Sequence, residues 1–318
     1  MPLAVLIVVA LLAGLAVYLF GSRFPSATGE PATDASVAAS EGLVRSTVRH
    51  PSLARILRGR LDPATATGLA LTVALAAAVG GGIVVGLLAY LMRTNSALVD
   101  IDRSVGQWGA DHATHWSTQG LQLVTDLAAT PTAIALIVVV GVVETVRAPN
   151  RWILPFLVTV VLGEVVLVNT VKHLLNRVRP TFNPIAETLG PSFPSGHSAT
   201  AAALFAGLAL VLARRRTPRT RAVLAGAAGG IAVGVACSRV MLGVHWLSDV
   251  IAGLAFGWAW FALCAIAFGG RFLHFGAPVE RATEVAETLP RQPGEDSHVV
   301  EVALERPEHA ASASRDSR

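Results

Sequence analysis

Apolar residues in this chain fall into seven long runs, approximately 3–20, 67–92, 127–146, 152–171, 198–213, 222–241 and 247–268. Each approaches the roughly 20 helical residues that about 30 Å of hydrocarbon requires. The run at 198–213 is short, and its strong neighbours support it. The pattern predicts an all-α, polytopic membrane helical bundle: a six-span unit over residues 67–270, preceded by an extra amino-terminal span over 1–21. A signal peptide would need a basic start and a shorter apolar core; Met1 and Pro2 supply no such start, so the first run reads as a retained anchor.

Between the first two runs, residues 22–66 have linker composition, rich in Ser, Ala, Pro and Thr at their start. Within this stretch, residues 45–61 set Arg45, Arg49, Arg55, Arg58 and Arg60 among Val48, Leu53, Ile56, Leu57 and Leu61. That mixture suits either a helix lying on an anionic membrane surface or a solvated basic loop. Residues 94–125 hold Trp108, Trp116, His112 and His115 and predict a short interfacial helix. Apart from Asp111, no residue completes a metal set with the two histidines. The tail 271–318 has no apolar period and reads as a disordered cytoplasmic segment.

Composition agrees with a membrane protein. Of 318 residues 53% are hydrophobic and 14% charged, and the mean hydropathy of +0.58 is a poor match to a water-soluble surface. Arginines gather at 214–221 (RRRTPRTR), at Arg147 and Arg151, and at 45–60. By the positive-inside rule these segments are cytoplasmic, and strict alternation then turns 93–126, 172–197 and 242–246 outward. Cys237 and Cys264 lie in apolar runs and read as small hydrophobes. The 25 basic residues other than histidine include a single lysine, Lys172, which makes that position conspicuous.

Ionisable residues at span ends fall into three clusters. In the first, Lys172 and Arg179 stand seven apart before Pro180, on one face if the fourth span continues to that proline; a snorkelling basic flank would look the same. In the second, Pro191-Ser-Phe-Pro-Ser195-Gly196-His197-Ser198 precedes the fifth span. There Ser195 can cap a helix and Gly196 lets backbone approach an anion beside His197. In the third, Arg239 ends the sixth span, while His245 and Asp249, four apart, share a face if both are helical. The carboxylate can then hold one imidazole nitrogen and leave the other as a nucleophile. Four helix ends thus converge on one membrane side, with three cations, two histidines and a carboxylate. Together they make a phosphate site with its own nucleophile. Glu164, in the middle of the fourth span, reads as a supporting or substrate-path residue, or one paired with Asn169 or another span.

Read as Lys-x6-Arg-Pro, Pro-Ser-Gly-His and Ser-Arg-x5-His-x3-Asp, the three clusters resemble the signature of the type 2 phosphatidic acid phosphatase family. That family also holds soluble vanadium haloperoxidases and bacterial acid phosphatases. The resemblance covers about residues 67–268. It implies phosphate-binding roles for Lys172, Arg179, Ser195, Gly196 and Arg239, a general acid in His197, a nucleophile in His245 and an orienting carboxylate in Asp249. Nothing is implied for His173 or Arg177. The expected activity is hydrolysis of a lipid phosphate (phosphatidic acid, phosphatidylglycerophosphate or polyprenyl pyrophosphate) through a phosphohistidine, with no cofactor or metal. Transfer to another acceptor and non-catalytic anion binding are the alternatives. Span-end motifs disfavour a haloperoxidase. The expected location is the plasma membrane, with the site on the extracytoplasmic side. The expected partners are the lipid substrate and membrane lipids, with no nucleic acid; the sequence gives no oligomeric state.

Overall fold

The computed structural model describes residues 1–23, 63–181 and 190–272. The basic segment 45–61 and, beyond Phe272, the tail lie outside them. Among the described residues there are nine helices and no strand. They are α1 (Pro2–Arg23), α2 (Pro63–Thr94), α3 (Ser96–Asp111), α4 (His115–Asp126), α5 (Thr130–Arg147), α6 (Ile153–Leu175), α7 (Gly196–Ala213), α8 (Pro218–Met241) and α9 (Leu247–Phe272). Each of the seven expected spans has its helix. Six are long and apolar enough by themselves to cross a bilayer, and α2 passes the same test together with α3. The chain is a multi-pass membrane protein.

Helix ends follow local chemistry. Asn95 breaks α2 from α3, turning the chain by 95°, and its side chain caps α3 by accepting from the Leu98 amide at 3.1 Å. Thr114 and Ser117 form a reciprocal capping box that starts α4. The expected single interfacial helix over 94–125 is therefore two helices. Asp102, Gly106 and Gly109 line the buried face of α3 at helical spacing. A Cβ at Gly109 would stand 3.2 Å from the Met241 Cα, so α3 lies closely across the end of α8.

The bundle is built around α7, whose Ala199, Ala201, Ala202, Ala203 and Leu204 are fully buried. On one side it meets Phe156, Leu157 and Val160 of α6 through bulky side chains. On the other it meets α9 through glycines. A Cβ at Gly253 would come within 2.5 Å of the Ser195 carbonyl oxygen, and one at Gly257 would collide with the carbonyl oxygen of Ala199. Lipid supplies no hydrophobic force between helices, so such close backbone contact carries much of the packing. The same device seats α1: a Cβ at Gly14 would lie 2.9 Å from the Gly226 oxygen, and one at Gly230 would lie 2.9 Å from the Ala10 oxygen. Contacts run from Leu6 with Gly234 to Gly21 with Ala222, so α1 is antiparallel to α8. That direction agrees with strict alternation through seven spans. Large apolar side chains such as Leu11, Val139 and Leu162 remain more than half exposed, as lipid-facing surface requires.

Candidate active site

Where α6 ends, α7 begins, α8 ends and α9 begins, polar side chains that are rare elsewhere in the bundle become buried: Ser195, Ser198, Arg239, His245, Ser248 and Asp249. The loop after α6 reaches this place by a different route from the one expected. The helix stops at Leu175 because Asn176 takes a left-handed conformation (φ 45°), so the chain from Arg177 to Pro180 is not helical. Lys172 and Arg179 therefore do not share a helical face. Loop geometry brings them to one site instead. Arg179 is fixed by donation to the carbonyls of Gly190 (2.9 Å), Pro191 (3.2 Å) and Val244 (2.9 Å).

Ser195 caps α7 as expected, accepting from the Ser198 amide at 3.5 Å and from the Ser198 hydroxyl at 3.0 Å. Its own amide donates to the Asp249 carbonyl at 3.0 Å, tying the starts of α7 and α9 together. Helix geometry leaves the amides of Gly196 and His197 without an intrahelical acceptor. A Cβ on Gly196 would stand 3.6 Å from Lys172 Nζ, so the ammonium lies beside the start of α7. His197 is half-buried and within electrostatic reach of Arg239, His245, Lys172 and Arg179.

His245 lies in the turn between α8 and α9, two residues before the helix begins. The expectation that it shares a helical face with Asp249 is corrected. Gly243 (φ 67°) makes the turn, and the Val244 and His245 amides donate to the Arg239 carbonyl at 3.2 and 3.3 Å. Asp249, in the first turn of α9, folds back to accept from the Trp246 amide at 3.0 Å, and the same oxygen lies 3.3 Å from His245 Nδ1. The other imidazole nitrogen, Nε2, is 3.1 Å from an Arg179 amino group. Burial pushes the imidazole down to about 4, against the pull of Asp249 and with the push of Arg179 and Arg239. Burial likewise lowers Arg179 from its ordinary value, opposed by Asp249. The result is a neutral imidazole with Nδ1 held by a carboxylate and Nε2 turned toward cations.

Arg239 is 5% exposed; one amino group donates to Thr125 of α4 at 3.2 Å, and its Nε has no hydrogen-bond partner among the described residues. Such a buried, unmatched donor beside two other cations suits an anion. Glu164 is fully buried and accepts from Thr200 of α7 at 2.9 Å, one helical turn past His197. Asn169 bonds its own helix at the Val165 carbonyl, so Glu164 pairs with another span and not with Asn169. His112 bonds the Trp108 carbonyl and stacks on its ring, and Asp111 accepts from Gln107.

Four residues joined to this site are given no role by the sequence: Asp102, Thr125, Arg177 and Ser248. Arg177 donates to Asp249 (2.6 Å), Ser248 (2.7 Å) and Asp102 (2.8 Å). These contacts join residues more than 70 positions apart, beyond the reach of local spacing. The one signal in the sequence is a second arginine two residues before Arg179.

The chain is similar to known proteins. The PAP2 superfamily model matches residues 152–272. Over 122 residues the chain is 40% identical to a lipid A 1-phosphatase of Rhizobium etli, an alignment covering 35% of this chain and 48% of that protein. The chain spans about half the length of the lipid A 1-phosphatases it matches. It is 32% identical over 174 residues to phosphatidylglycerophosphatase B of Bacillus subtilis, covering 54% of this chain and 84% of that one. The crystal structure of a transmembrane PAP2 type phosphatidylglycerolphosphate phosphatase from Bacillus subtilis superposes with a TM-score of 0.56 at 30% identity, covering 59% of this chain and 94% of that one.

Proposed function

The chain belongs to the PAP2 superfamily, and on that premise we propose that it is a phosphatase acting on a lipid phosphate, a monoester or diphosphate, at the membrane boundary. The six-span unit 67–270 carries the activity, with residues 1–21 as its anchor. Support comes from the relatives named as lipid phosphatases and, above all, from one observation: His245 offers Nε2 to the cationic side while Asp249 holds Nδ1. In the proposed reaction Nε2 attacks phosphorus in line, and the bond from phosphorus to the leaving oxygen breaks. His197 gives that oxygen its proton. Asp249 stabilises the charge that develops on the imidazole ring. Lys172, Arg179, Arg239 and the amides of Gly196 and His197 take the negative charge of the equatorial oxygens, the main demand of phosphoryl transfer. Water, deprotonated by His197, then cleaves the phosphohistidine and releases inorganic phosphate.

The arginine-rich turns 147–151 and 214–221 lie at the opposite helix ends from this site, so the site faces the extracytoplasmic side of the plasma membrane. A substrate entering from that leaflet carries its phosphate at headgroup depth. Phosphatidic acid, phosphatidylglycerophosphate, a lipid A 1-phosphate and undecaprenyl pyrophosphate all meet this requirement. Phosphate release from this panel in detergent, by wild type and His245→Ala and with and without EDTA, tests the reading. Release that survives EDTA and falls by about 10⁴-fold or more in the variant is expected. A wild type silent on every lipid, or strictly dependent on Mg²⁺, overturns it.

A further inference from the structure

Asp249 holds more than the nucleophile. While Oδ2 faces His245 Nδ1, Oδ1 accepts from an Arg177 amino group at 2.6 Å. The second amino group of Arg177 donates at 2.8 Å to Asp102 Oδ2. Asp102 sits on α3, is 1% exposed, and also accepts from the Ser248 amide (2.8 Å) and hydroxyl (2.6 Å). The Ser248 hydroxyl accepts from Arg177 in turn. Both oxygens of both carboxylates are therefore engaged, and one planar guanidinium spans them. The chain Asp102–Arg177–Asp249–His245 crosses four segments: the boundary helix α3, the loop after α6, the start of α9 and the α8–α9 turn.

Two buried carboxylates without a cation between them would be costly. With Arg177 they are matched, and the fork geometry of a guanidinium sets the plane of each carboxylate as a point charge would not. Arg177 differs here from Arg179. Both of its amino groups are bound to acceptors on the carboxylate side of His245, and its guanidinium lies 5.5 Å from the centre of the Trp246 ring.

We propose that Arg177 and Asp102 are positioning residues for the nucleophile: they lock the Asp249 carboxylate against His245 Nδ1 and meter how much of its negative charge reaches the imidazole. The proposal rests on the lipid phosphatase reading for its effect on rate, and on geometry alone for its effect on ionisation. The charged and titratable groups facing His245 are Asp249 of α9, Arg179 of the loop, Arg239 of α8 and His197 of α7, with Lys172 of α6 beyond them. None is altered by the test variants.

Arg177→Gln deletes a positive charge behind Asp249, so His245 should bind its proton more readily and titrate at higher pH. Asp102→Asn deletes a negative charge further along the same chain, so His245 should titrate lower. Arg177→Lys keeps the charge but cannot bridge both carboxylates, so titration should stay near that of wild type. All three should lower kcat by about 10–100-fold with KM within about threefold, because the nucleophile is misaimed while the phosphate-facing cations remain. The experiment combines turnover of the best lipid in the panel with NMR titration of ¹³C-labelled histidine, the His245 signal being assigned by its loss in His245→Ala. Thermal unfolding and size-exclusion profiles confirm folding, and where Arg177→Gln does not fold, Asp102→Asn decides. Opposite titration shifts in the two neutral variants support the proposal, even if the wild type turns over no lipid, in which case the phosphatase reading falls alone. Active wild type with kcat unchanged in all variants overturns it. So does a kcat loss with no titration shift, or with shifts of the same sign.

Discussion

The two ends of the bundle use the same residue for opposite purposes. At the end that the proposed topology turns inward, Arg215 and Arg216 of the α7–α8 turn and Arg219 in the first turn of α8 are exposed. At the end it turns outward, Arg239 is buried, Arg179 is clamped by three carbonyls, and Arg177 is enclosed by two carboxylates. Composition scores all of these as positive charge at a span end. Burial separates them: an exposed guanidinium keeps its water and tells the membrane which side it is on, whereas a buried one must find an anion. The unmatched Nε of Arg239 is the clearest sign that the outer set awaits one.

By that contrast, removing an outer cation should cost catalysis heavily. Arg179→Ala and Arg239→Ala should each lower kcat by about 10²–10³-fold, the usual loss when one donor to a developing anion is deleted. Steady-state phosphate release on folded protein measures it, and a loss under about fivefold would place the phosphate elsewhere. Lys172→Arg preserves charge and so asks whether geometry matters as well. The ammonium is a compact point charge beside the start of α7, 3.6 Å from where a Cβ on Gly196 would stand; a longer, planar guanidinium presents its donors differently there, and a loss of about 10²-fold is expected. Activity close to wild type would make the single lysine an accident of composition.

The pH profile sharpens the contrast at its centre. In the proposed mechanism His245 must be neutral to attack, and burial pushes it down to about 4 from an ordinary 6.5. Its folded form therefore prefers the unprotonated state, and the fold loses stability as pH drops from the unfolded value toward the folded one. For catalysis the sign is the same: kcat/KM of the free enzyme, corrected for substrate ionisation, should hold down to about pH 5 and fall below it. At about pH 5.5 an ordinary imidazole would already have lost about tenfold. A limb centred near 6.5 would mean that the site is wetter than its geometry.

Much of this architecture is legible in the amino-acid sequence. Spans in lipid are written in one variable, length of apolar run, and all seven helices lie where that variable puts them. Lys172, His197, Arg239, His245 and Asp249 stand out because each sits at a span end, where charge is expensive. What spacing misses is local geometry. Asn176 ends α6 four residues before Pro180; asparagine adopts the left-handed conformation more readily than its neighbours in Leu-Leu-Asn-Arg, but a spacing read from charges to the proline passes over it. His245 meets Asp249 through a turn that folds back on a helix cap, which spacing alone reads as one helix. Asp102 is inconspicuous for a different reason. An acid on a boundary helix is ordinary, and it becomes exceptional only when tertiary packing brings Arg177 and Ser248 from 75 and 146 residues away.

The smallest expected effect lies at the inner end, and it is the one that gives the comparison meaning. Arg215, Arg216 and Arg219 are exposed and lie at the opposite end of α8 from His245, so screening by solvent and salt leaves them little influence on it. Replacing all three with Gln should leave kcat and KM in detergent within about twofold, since surface changes away from packed or bonded features seldom matter more. The same change removes three of the five arginines of 214–221, the segment that the proposed topology places in the cytoplasm. In vesicles or cells the consequence should appear as orientation: a cysteine placed in that turn becomes partly accessible to an impermeant thiol reagent from outside, while purified enzyme stays active. A large loss of kcat in detergent would show that the inner arginines reach the site after all, and the division between signposts and phosphate ligands would collapse. Unchanged activity with altered sidedness would confirm that burial, and not charge, is what turns an arginine in this protein into part of its chemistry.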